Sequence, residues 1–175
     1  MDTYWRQSEI SRELLSRGLF MEYGVEHDEI IRNSFGKPSL RNHRDIHFSI
    51  SHCSGAVVVC LSDYRVGIDI ERVRRFDPLV ANRILNDEEM RSLSLQADQD
   101  LYFTRIWTLK ESYVKAIGCG LSYPLKKLHI HMDEKGIVSN RPSAEFCLME
   151  NCEGFIISLC TIHGKKPLEK ELKSL

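Results

Sequence analysis

The sequence predicts an α+β fold made of two similar halves, and two observations support it. One is the order of elements: a helical stretch, three strand-like runs, further helices, and three more strand-like runs. The other is the spacing of apolar residues, which is three or four in the helical stretches and two in the strands. The division falls after the third strand, giving a first half at 1–75, a second half at 76–163 and a charged tail at 164–175.

The composition is that of an ordinary soluble globular protein. Its 175 residues suffice for one compact unit, 42% of them are hydrophobic and 28% charged, and the net charge is −1 at pH 7. This balance does not favour nucleic acid as a partner. No apolar run approaches the roughly 18 residues of a membrane span, and the start lacks a signal-peptide core. We therefore expect a cytoplasmic protein, without membrane contact, whose six cysteines are reduced.

The first half begins with a core-facing helix at 8–25, whose apolar residues form one stripe. A polar loop separates this helix from a strand at 46–51. Two further strands are expected at 56–62 and 66–71. Because only the short turn at 63–65 lies between them, these two strands are predicted to pair as a hairpin.

The second half begins with two short helices. Asp77-Pro78 predicts the first start, since Asp caps helices and Pro suits their first position. Asn86 predicts the second start, because Asn86 and Glu89 have capping-box spacing. A longer helix is predicted at 107–121, and strand-like runs follow at 127–132, 144–149 and 155–161.

The longer helix places three chemically different side chains on one face. A spacing of four brings Trp107, Glu111 and Lys115 together, opposite an apolar stripe. A glutamate four residues before a lysine is by itself only a surface ion pair, worth about 0.2–0.5 kcal/mol. A functional interpretation therefore needs a second motif.

That second motif is the strand VGIDIE at 66–71. Its alternation points Asp69 and Glu71 to the same side, where their charges repel unless a cation or a proton lies between them. Glu111 would supply a third carboxylate. Magnesium in proteins is usually held by one or two carboxylates, water and substrate phosphate, so this set suits a magnesium–phosphate complex.

Together, VGIDIE and WTLKESYVK, in this order and about forty residues apart, closely resemble the signature of the 4′-phosphopantetheinyl transferases. The Trp before KES and the chain length resemble the surfactin-type branch rather than the short holo-acyl-carrier-protein synthase branch. The resemblance runs from Arg6 to about Thr161. It implies two α/β subdomains in a pseudo-two-fold arrangement, with a nucleotide cleft between them.

The resemblance also implies an activity. The family moves the 4′-phosphopantetheine group of coenzyme A to a serine of an acyl or peptidyl carrier protein, leaving adenosine 3′,5′-bisphosphate. Coenzyme A would be the co-substrate and Mg²⁺, or Mn²⁺, the cofactor. Such enzymes serve fatty acid or secondary metabolite biosynthesis.

Site residues are carried over from the family motif by motif. Asp69, Glu71 and Glu111 would hold the metal, with Glu111 also the general base and Lys115 stabilising charge on the leaving phosphate. Glu89 aligns with a glutamate near the family's active site, although capping alone also explains it. Coenzyme A would be contacted by five residues: Arg6, Lys37, Ser51, His52 and Lys110.

Several of these residues also have an ordinary interpretation. Lys37 lies in FGKP, which is a typical turn, and Ser51-His52 is a common strand end. The arginines after VGIDIE fit either a solvated turn or a surface that steers an acidic carrier protein, namely Arg72, Arg74 and Arg75.

Two other functions fit the same motifs. A metal-dependent hydrolase of nucleotide diphosphates would use the same three acids with water as nucleophile. An inactive relic that still binds carrier proteins is the other alternative, suggested by the amino terminus. There, Asp2 and Arg6 resemble remnants of the family's DxxR-like element. A strand missing before them would leave an exposed sheet edge, which predicts a homodimer through that edge. Basic residues missing with it would leave Arg6, Lys37 and His52 to hold the adenosine 3′-phosphate, which predicts weaker coenzyme A binding.

Overall fold

The computed structural model describes residues 3–164. Asp2 and the predicted tail beyond 164 lie outside this range. The helices are α1 (Thr3–Tyr23), α2 (Pro78–Ile84), α3 (Asp87–Ser94) and α4 (Gln99–Ile117). The strands are β1 (Ile30–Arg32), β2 (Pro38–Leu40), β3 (His47–Cys53), β4 (Ala56–Ser62), β5 (Arg65–Arg72), β6 (Ile130–Asp133), β7 (Gly136–Ser139), β8 (Ala144–Cys152) and β9 (Phe155–Ile162). The α+β class predicted from the sequence is confirmed.

Helix boundaries follow local chemistry where the sequence predicted them. Asp77 caps α2 by accepting the Leu79 N–H at 2.8 Å, and Asn86 and Glu89 form the expected capping box of α3. Gly118 ends α4 in the left-handed conformation, with φ of 75°. The sequence did not predict how early α4 begins, because Asp98 caps it well before the Trp107 motif.

Every paired strand in the described range is antiparallel. β3 pairs with β4, β1 with β2, β6 with β7, and the order β5-β9-β8 forms the largest sheet. The short strands β1 and β2 lie in the stretch predicted as a polar loop, and β7 lies where the sequence predicted no element. No helix among residues 3–164 is long and apolar enough to cross a membrane.

The predicted hairpin between the strands at 56–62 and 66–71 is wrong. β4 pairs instead with β3, in a register that places Ile50 opposite Val59. β5 pairs with β9, and Asp69 lies opposite Ser158. The reason is burial: β5 is buried from Val66 to Ile70, so it needs cover on both faces and lies against α4, β9 and β3.

The apolar interior forms two clusters. The larger one gathers the buried face of α4 with α2, α3 and the last strands, and its centre includes Ile106, Leu109 and Tyr113. The smaller one lies between α1 and the β3–β4 hairpin, around Leu15 and Phe48. The two clusters resemble the two predicted halves. The boundary at 75 and the pseudo-two-fold stay predictions, since β5 precedes that boundary yet pairs with β9.

Candidate active site

The site forms where β5 crosses α4, and Gly67 permits the crossing. A Cβ at Gly67 would lie 2.0 Å from the Ser112 carbonyl oxygen and 2.4 Å from the Ala116 nitrogen. Only a residue without a side chain allows the strand so close to the helix backbone. The close approach brings the acids of β5 to the face of α4 that carries Glu111 and Lys115.

Ser51, Asp69 and Lys115 form a compact network at this crossing. The Lys115 ammonium donates to Asp69 Oδ1 at 2.6 Å and to Ser51 Oγ at 2.7 Å. The Ser51 hydroxyl donates to the same Asp69 oxygen at 2.8 Å. Asp69 and Ser51 are buried and Lys115 is half-buried, so the ion pair is poorly screened by water.

Serine hydroxyls join β3 to β5 in place of a backbone ladder. Ser49 Oγ accepts the Ile68 N–H at 3.1 Å, and Ser51 Oγ accepts the Ile70 N–H at 3.4 Å. These amides point away from β9, since alternate residues of a strand face opposite neighbours. Ser51 therefore fixes the spacing of the strands and also contacts the charged pair.

The three predicted acids influence one another electrostatically. Burial raises the pKa of Glu71, and the charge of Asp69 raises it further. Burial likewise raises the pKa of Glu111, with Asp69 and then Glu71 adding to the shift and Lys115 opposing it. The charge of Arg74 and a hydrogen bond from the Trp107 side chain lower the pKa of Glu71 in part. The structure thus brings the predicted acids of β5 and α4 into one electrostatic cluster.

The donor chemistry of this cluster suits a hard cation. Asp69 Oδ2 is buried and has no hydrogen-bond partner among residues 3–164, which is costly for a carboxylate oxygen unless something binds it. Within residues 3–164, however, no three His, Cys, Asp or Glu side chains are already arranged to hold a metal ion. The Lys115 ammonium lies beside Asp69, where a cation would otherwise neutralise the charge. The metal site stays a prediction.

A cleft of about 470 Å³ opens above the network. Its walls come from α1, from β1 and the loop that follows it, and from β3 and α4. They include the predicted residues Lys37, His52, Glu111 and Lys115. Two arginines not singled out by the sequence analysis, Arg12 and Arg32, also line it. Arg6 is exposed on α1 and is not among the described residues of the lining.

A second, smaller cavity adjoins Glu71. It is lined by Trp107, Phe103, Phe76 and the arginines that follow β5, and the three rings stack in sequence with centroids 5.2 and 6.4 Å apart. Arg74 and Arg75 are exposed there. Arg72 lies over the Phe155 ring, 4.2 Å from its centroid.

The structure argues against the predicted roles of Lys110 and Glu89. Lys110 is fully buried, and its ammonium contacts Glu89 at 2.7 Å and the carbonyl oxygens of Ile84, Leu125 and Leu128. An ammonium has three N–H donors, so Lys110 has none left for coenzyme A. Glu89 also accepts the N–H groups of Asn86 and Ile130. The pair connects α3 and α4 to the chain before β6.

Comparison with known proteins identifies the family. The family model described as the 4′-phosphopantetheinyl transferase superfamily matches residues 65–160, more than half of the chain. The chain belongs to this superfamily. The match covers β5 and α4, which carry Asp69 and Lys115 of the network, whereas β3 with Ser51 precedes the matched residues.

Relatives within the superfamily match most of this chain. It is 32% identical to the 4′-phosphopantetheinyl transferase gsp of Aneurinibacillus migulanus, over 85% of this chain and 65% of gsp. It is also 32% identical to the 4′-phosphopantetheinyl transferase Sfp of Bacillus subtilis (strain 168), over 89% of this chain and 72% of Sfp. The chain thus spans less than two thirds of gsp and somewhat more of Sfp.

A solved structure supports the same fold. The holo-[acyl-carrier-protein] synthase (AcpS) of Thermotoga maritima matches with a TM-score of 0.51 and 23% identity, over 59% of this chain and 65% of the synthase. Identity at this level establishes the fold alone. The fold implied by the sequence resemblance is therefore confirmed.

Two more residues of this region carry a signal in the sequence. Ser49 precedes Ser51 by two, so both hydroxyls had to lie on one face of β3. Lys110 falls within the apolar stripe of α4, four residues after Ile106, and a buried lysine requires an acid partner. Arg12 and Arg32 carried no such signal, because isolated arginines on a helix and a short strand are ordinary.

Proposed function

We propose that this chain transfers the 4′-phosphopantetheine group of coenzyme A to a serine hydroxyl of an acyl or peptidyl carrier protein. The observation that supports it best is the Ser51–Asp69–Lys115 network beneath the cleft, with Glu111 in the cleft wall. A charged diphosphate entering this cleft would meet the half-buried Lys115 ammonium next to carboxylates suited to a cation. Membership of the superfamily supports the same reaction.

The reaction joins the carrier serine oxygen to the β-phosphorus of coenzyme A. As that bond forms, the bond from this phosphorus to the bridging oxygen breaks, and adenosine 3′,5′-bisphosphate leaves with the electron pair. The serine proton goes to the Glu111 carboxylate. Because burial raises the Glu111 pKa, this carboxylate accepts a proton more readily than an exposed glutamate does.

Lys115 stabilises the charge that develops on the leaving phosphate. Among the described residues its ammonium donates to Asp69 and Ser51, which leaves one of its three N–H donors for a phosphate oxygen. Phosphoryl transfer asks the protein chiefly for positioning and charge neutralisation. A preorganised donor in a site with little water serves that purpose well.

Asp69, Glu71 and Glu111 would hold Mg²⁺. Bound there, the ion would neutralise the diphosphate and polarise the attacked phosphorus. The unpartnered Asp69 Oδ2 and the raised pKa values of the two glutamates support this assignment. His52, in the cleft wall, and the nearby Arg12 and Arg32 would complement the remaining phosphate charge of coenzyme A.

The carrier protein would approach beside the second cavity. Arg74 and Arg75 are exposed there, next to the Trp107 ring, and they would attract an acidic partner over a distance of about 10 Å at moderate salt. This location keeps the incoming serine close to Glu71 and Glu111. The cytoplasm stays the predicted location of the reaction.

One experiment separates this proposal from its alternatives. The protein is incubated with apo-carrier protein, coenzyme A and Mg²⁺, and the intact carrier is weighed by mass spectrometry. A phosphopantetheine adduct on the carrier supports transfer. Hydrolysed coenzyme A with an unmodified carrier would indicate the hydrolase, and no change in either would indicate the inactive relic. A carrier with alanine in place of the acceptor serine is the control.

Variants of the acids test the metal assignment. Asp69→Ala and Glu111→Ala should each lower transfer by at least about 100-fold, the usual effect of losing one key electrostatic group. Glu134→Ala, at an exposed turn, is the matched control and should be unaffected. Wild-type turnover by either acid variant at saturating Mg²⁺ would refute the assignment.

A further inference from the structure

The loop before β2 holds the end of α4 through Lys37. The Lys37 ammonium donates to the carbonyl oxygens of Lys115, Ala116 at 2.9 Å and Val66 at 3.2 Å. Three N–H donors meet three acceptors, so the ammonium is saturated by the protein itself. Lys115 and Ala116 belong to the last turn of α4, where carbonyl groups lack helical partners and a cation is favourable.

We infer that Lys37 is a positioning residue that fixes the last turn of α4, and with it Lys115, rather than a ligand of coenzyme A. The kinetic part of this inference rests on the proposed function. The backbone of Lys115 is held by Lys37, while its side chain is held by Asp69 and Ser51. Val66 lies next to Gly67, so the same ammonium also ties α4 to β5 at their crossing.

A second contact from the same loop supports this role. Asn33 donates from Nδ2 to the Gly118 carbonyl oxygen at 2.9 Å, just past the end of α4. Its Oδ1 accepts the backbone N–H groups of Phe35 at 3.0 Å and Lys37 at 2.9 Å, which closes the loop on itself. Two side chains from one loop, Asn33 and Lys37, therefore donate to carbonyl oxygens at the end of α4.

The loop also forms part of the cleft wall, through Phe35, Gly36 and Lys37. A ligand seated in the cleft would rest against the loop that holds Lys115. For Lys37 to bind a phosphate it would have to leave three carbonyl oxygens, two of them at a helix end. A buried carbonyl without a donor costs about 1–3 kcal/mol, so this exchange is unfavourable.

The test compares Lys37→Met, which removes the donors, with Lys37→Arg, which keeps a charged donor. Lys135→Met, at an exposed turn, is the matched control. Steady-state transfer kinetics give kcat and the KM for coenzyme A, calorimetry gives the Kd for coenzyme A, and amide hydrogen exchange reports the last turn of α4. Lys37→Met should lower kcat by about 10–100-fold, since a 1 Å displacement of a catalytic group has effects of this size. Its Kd for coenzyme A should change less than about twofold, and exchange at 114–118 should accelerate.

Lys37→Arg should recover most of kcat and of the slow exchange. A rise in the Kd and KM for coenzyme A, with kcat and exchange unchanged, would overturn the inference and make Lys37 a coenzyme A ligand. A fall in kcat without faster exchange would overturn it as well. If Lys37→Met does not fold, Asn33→Ala removes the second contact and should accelerate exchange in the same turn. Faster exchange in variants of a protein that shows no transfer at all would retain the structural role and reject the proposed function.

Discussion

Replacing Gly67 by alanine tests whether the crossing of β5 and α4 sets the site. The new Cβ would lie 2.0 Å from the Ser112 carbonyl oxygen, whereas ordinary contacts begin near 3.4 Å, so strand and helix must separate by about 1.4 Å. It would also lie 2.4 Å from the Ala116 nitrogen. These two atoms are the acceptor and donor of one helical hydrogen bond, four residues apart, so the methyl group intrudes on the helix itself. Overpacking of this kind costs about 1–3 kcal/mol.

The separation would stretch the Lys115–Asp69 ion pair, which measures 2.6 Å. We therefore expect Gly67→Ala to lose about 1–3 kcal/mol in urea unfolding and, in the folded fraction, about 100-fold in transfer rate. Gly18→Ala on α1 is the control, because its Cβ would meet only the flexible end of Leu61, at 2.5 Å. Full activity of folded Gly67→Ala would refute the idea that this crossing determines the position of Lys115.

Three other outcomes are expected. Lys115→Ala should lower kcat and kcat/KM together, because its ammonium acts on charge in the transition state, and a rise in KM for coenzyme A alone would contradict that role. Glu89→Gln should lose about 3–5 kcal/mol in urea unfolding, because it leaves the buried Lys110 charge unpaired, while kcat of the folded fraction stays unchanged. A fall in that kcat would instead restore a catalytic role for Glu89. Burial lowers the pKa of Lys37 from 10.5 to about 8, so between these pH values the unfolded state binds more protons at Lys37, and this residue alone contributes a rise of about 3 kcal/mol in folding stability. Burial also raises the pKa values of Cys60, Cys119 and Cys160, and these thiols oppose the rise above about pH 9. The difference in urea-unfolding free energy between the wild type and Lys37→Met should therefore shift by about 3 kcal/mol in favour of the wild type from pH 8 to 10.5, and parallel curves for the two proteins would contradict it. The charged or titratable groups that influence Lys37, or are influenced by it, are Cys60, Arg65, Cys160 and His47.

The sequence predicted the features that depend on near neighbours along the chain. Asp77 and Asn86 cap their helices because a side-chain oxygen reaches amides two or three residues away. The shared faces of Asp69 with Glu71 and of Glu111 with Lys115 follow from the strand and helix periods. Family resemblance was needed to bring these two pairs together, since neither period specifies a partner element.

Features that depend on distant partners were missed or mistaken. The alternation of residues along β5 is equally compatible with pairing to β4 and with pairing to β9. Only the need to bury both faces of β5 decides in favour of β9. The family motif marked Lys37 as a contact for coenzyme A, but its acceptors are carbonyl oxygens at 66 and 115–116. The pattern of side chains along the sequence does not show which backbone carbonyl oxygens a lysine will bind. The place of Lys110 in the apolar stripe of α4 predicts an acid partner, but the sequence does not show that this partner is Glu89, whose capping role explains it locally.

The two apolar clusters have a consequence for how the protein loses its structure on heating. Among the residues that the structure describes, the cluster beneath α1 has six buried members and the other has eighteen. Polar contacts from Ser49, Ser51 and Lys37 connect the elements between them. Cooperative melting requires the parts of a protein to be strongly coupled. We expect the smaller cluster to melt first, at a temperature where the larger one is still intact. Because the cleft takes its walls from both sides, heat inactivation would then precede the main calorimetric transition.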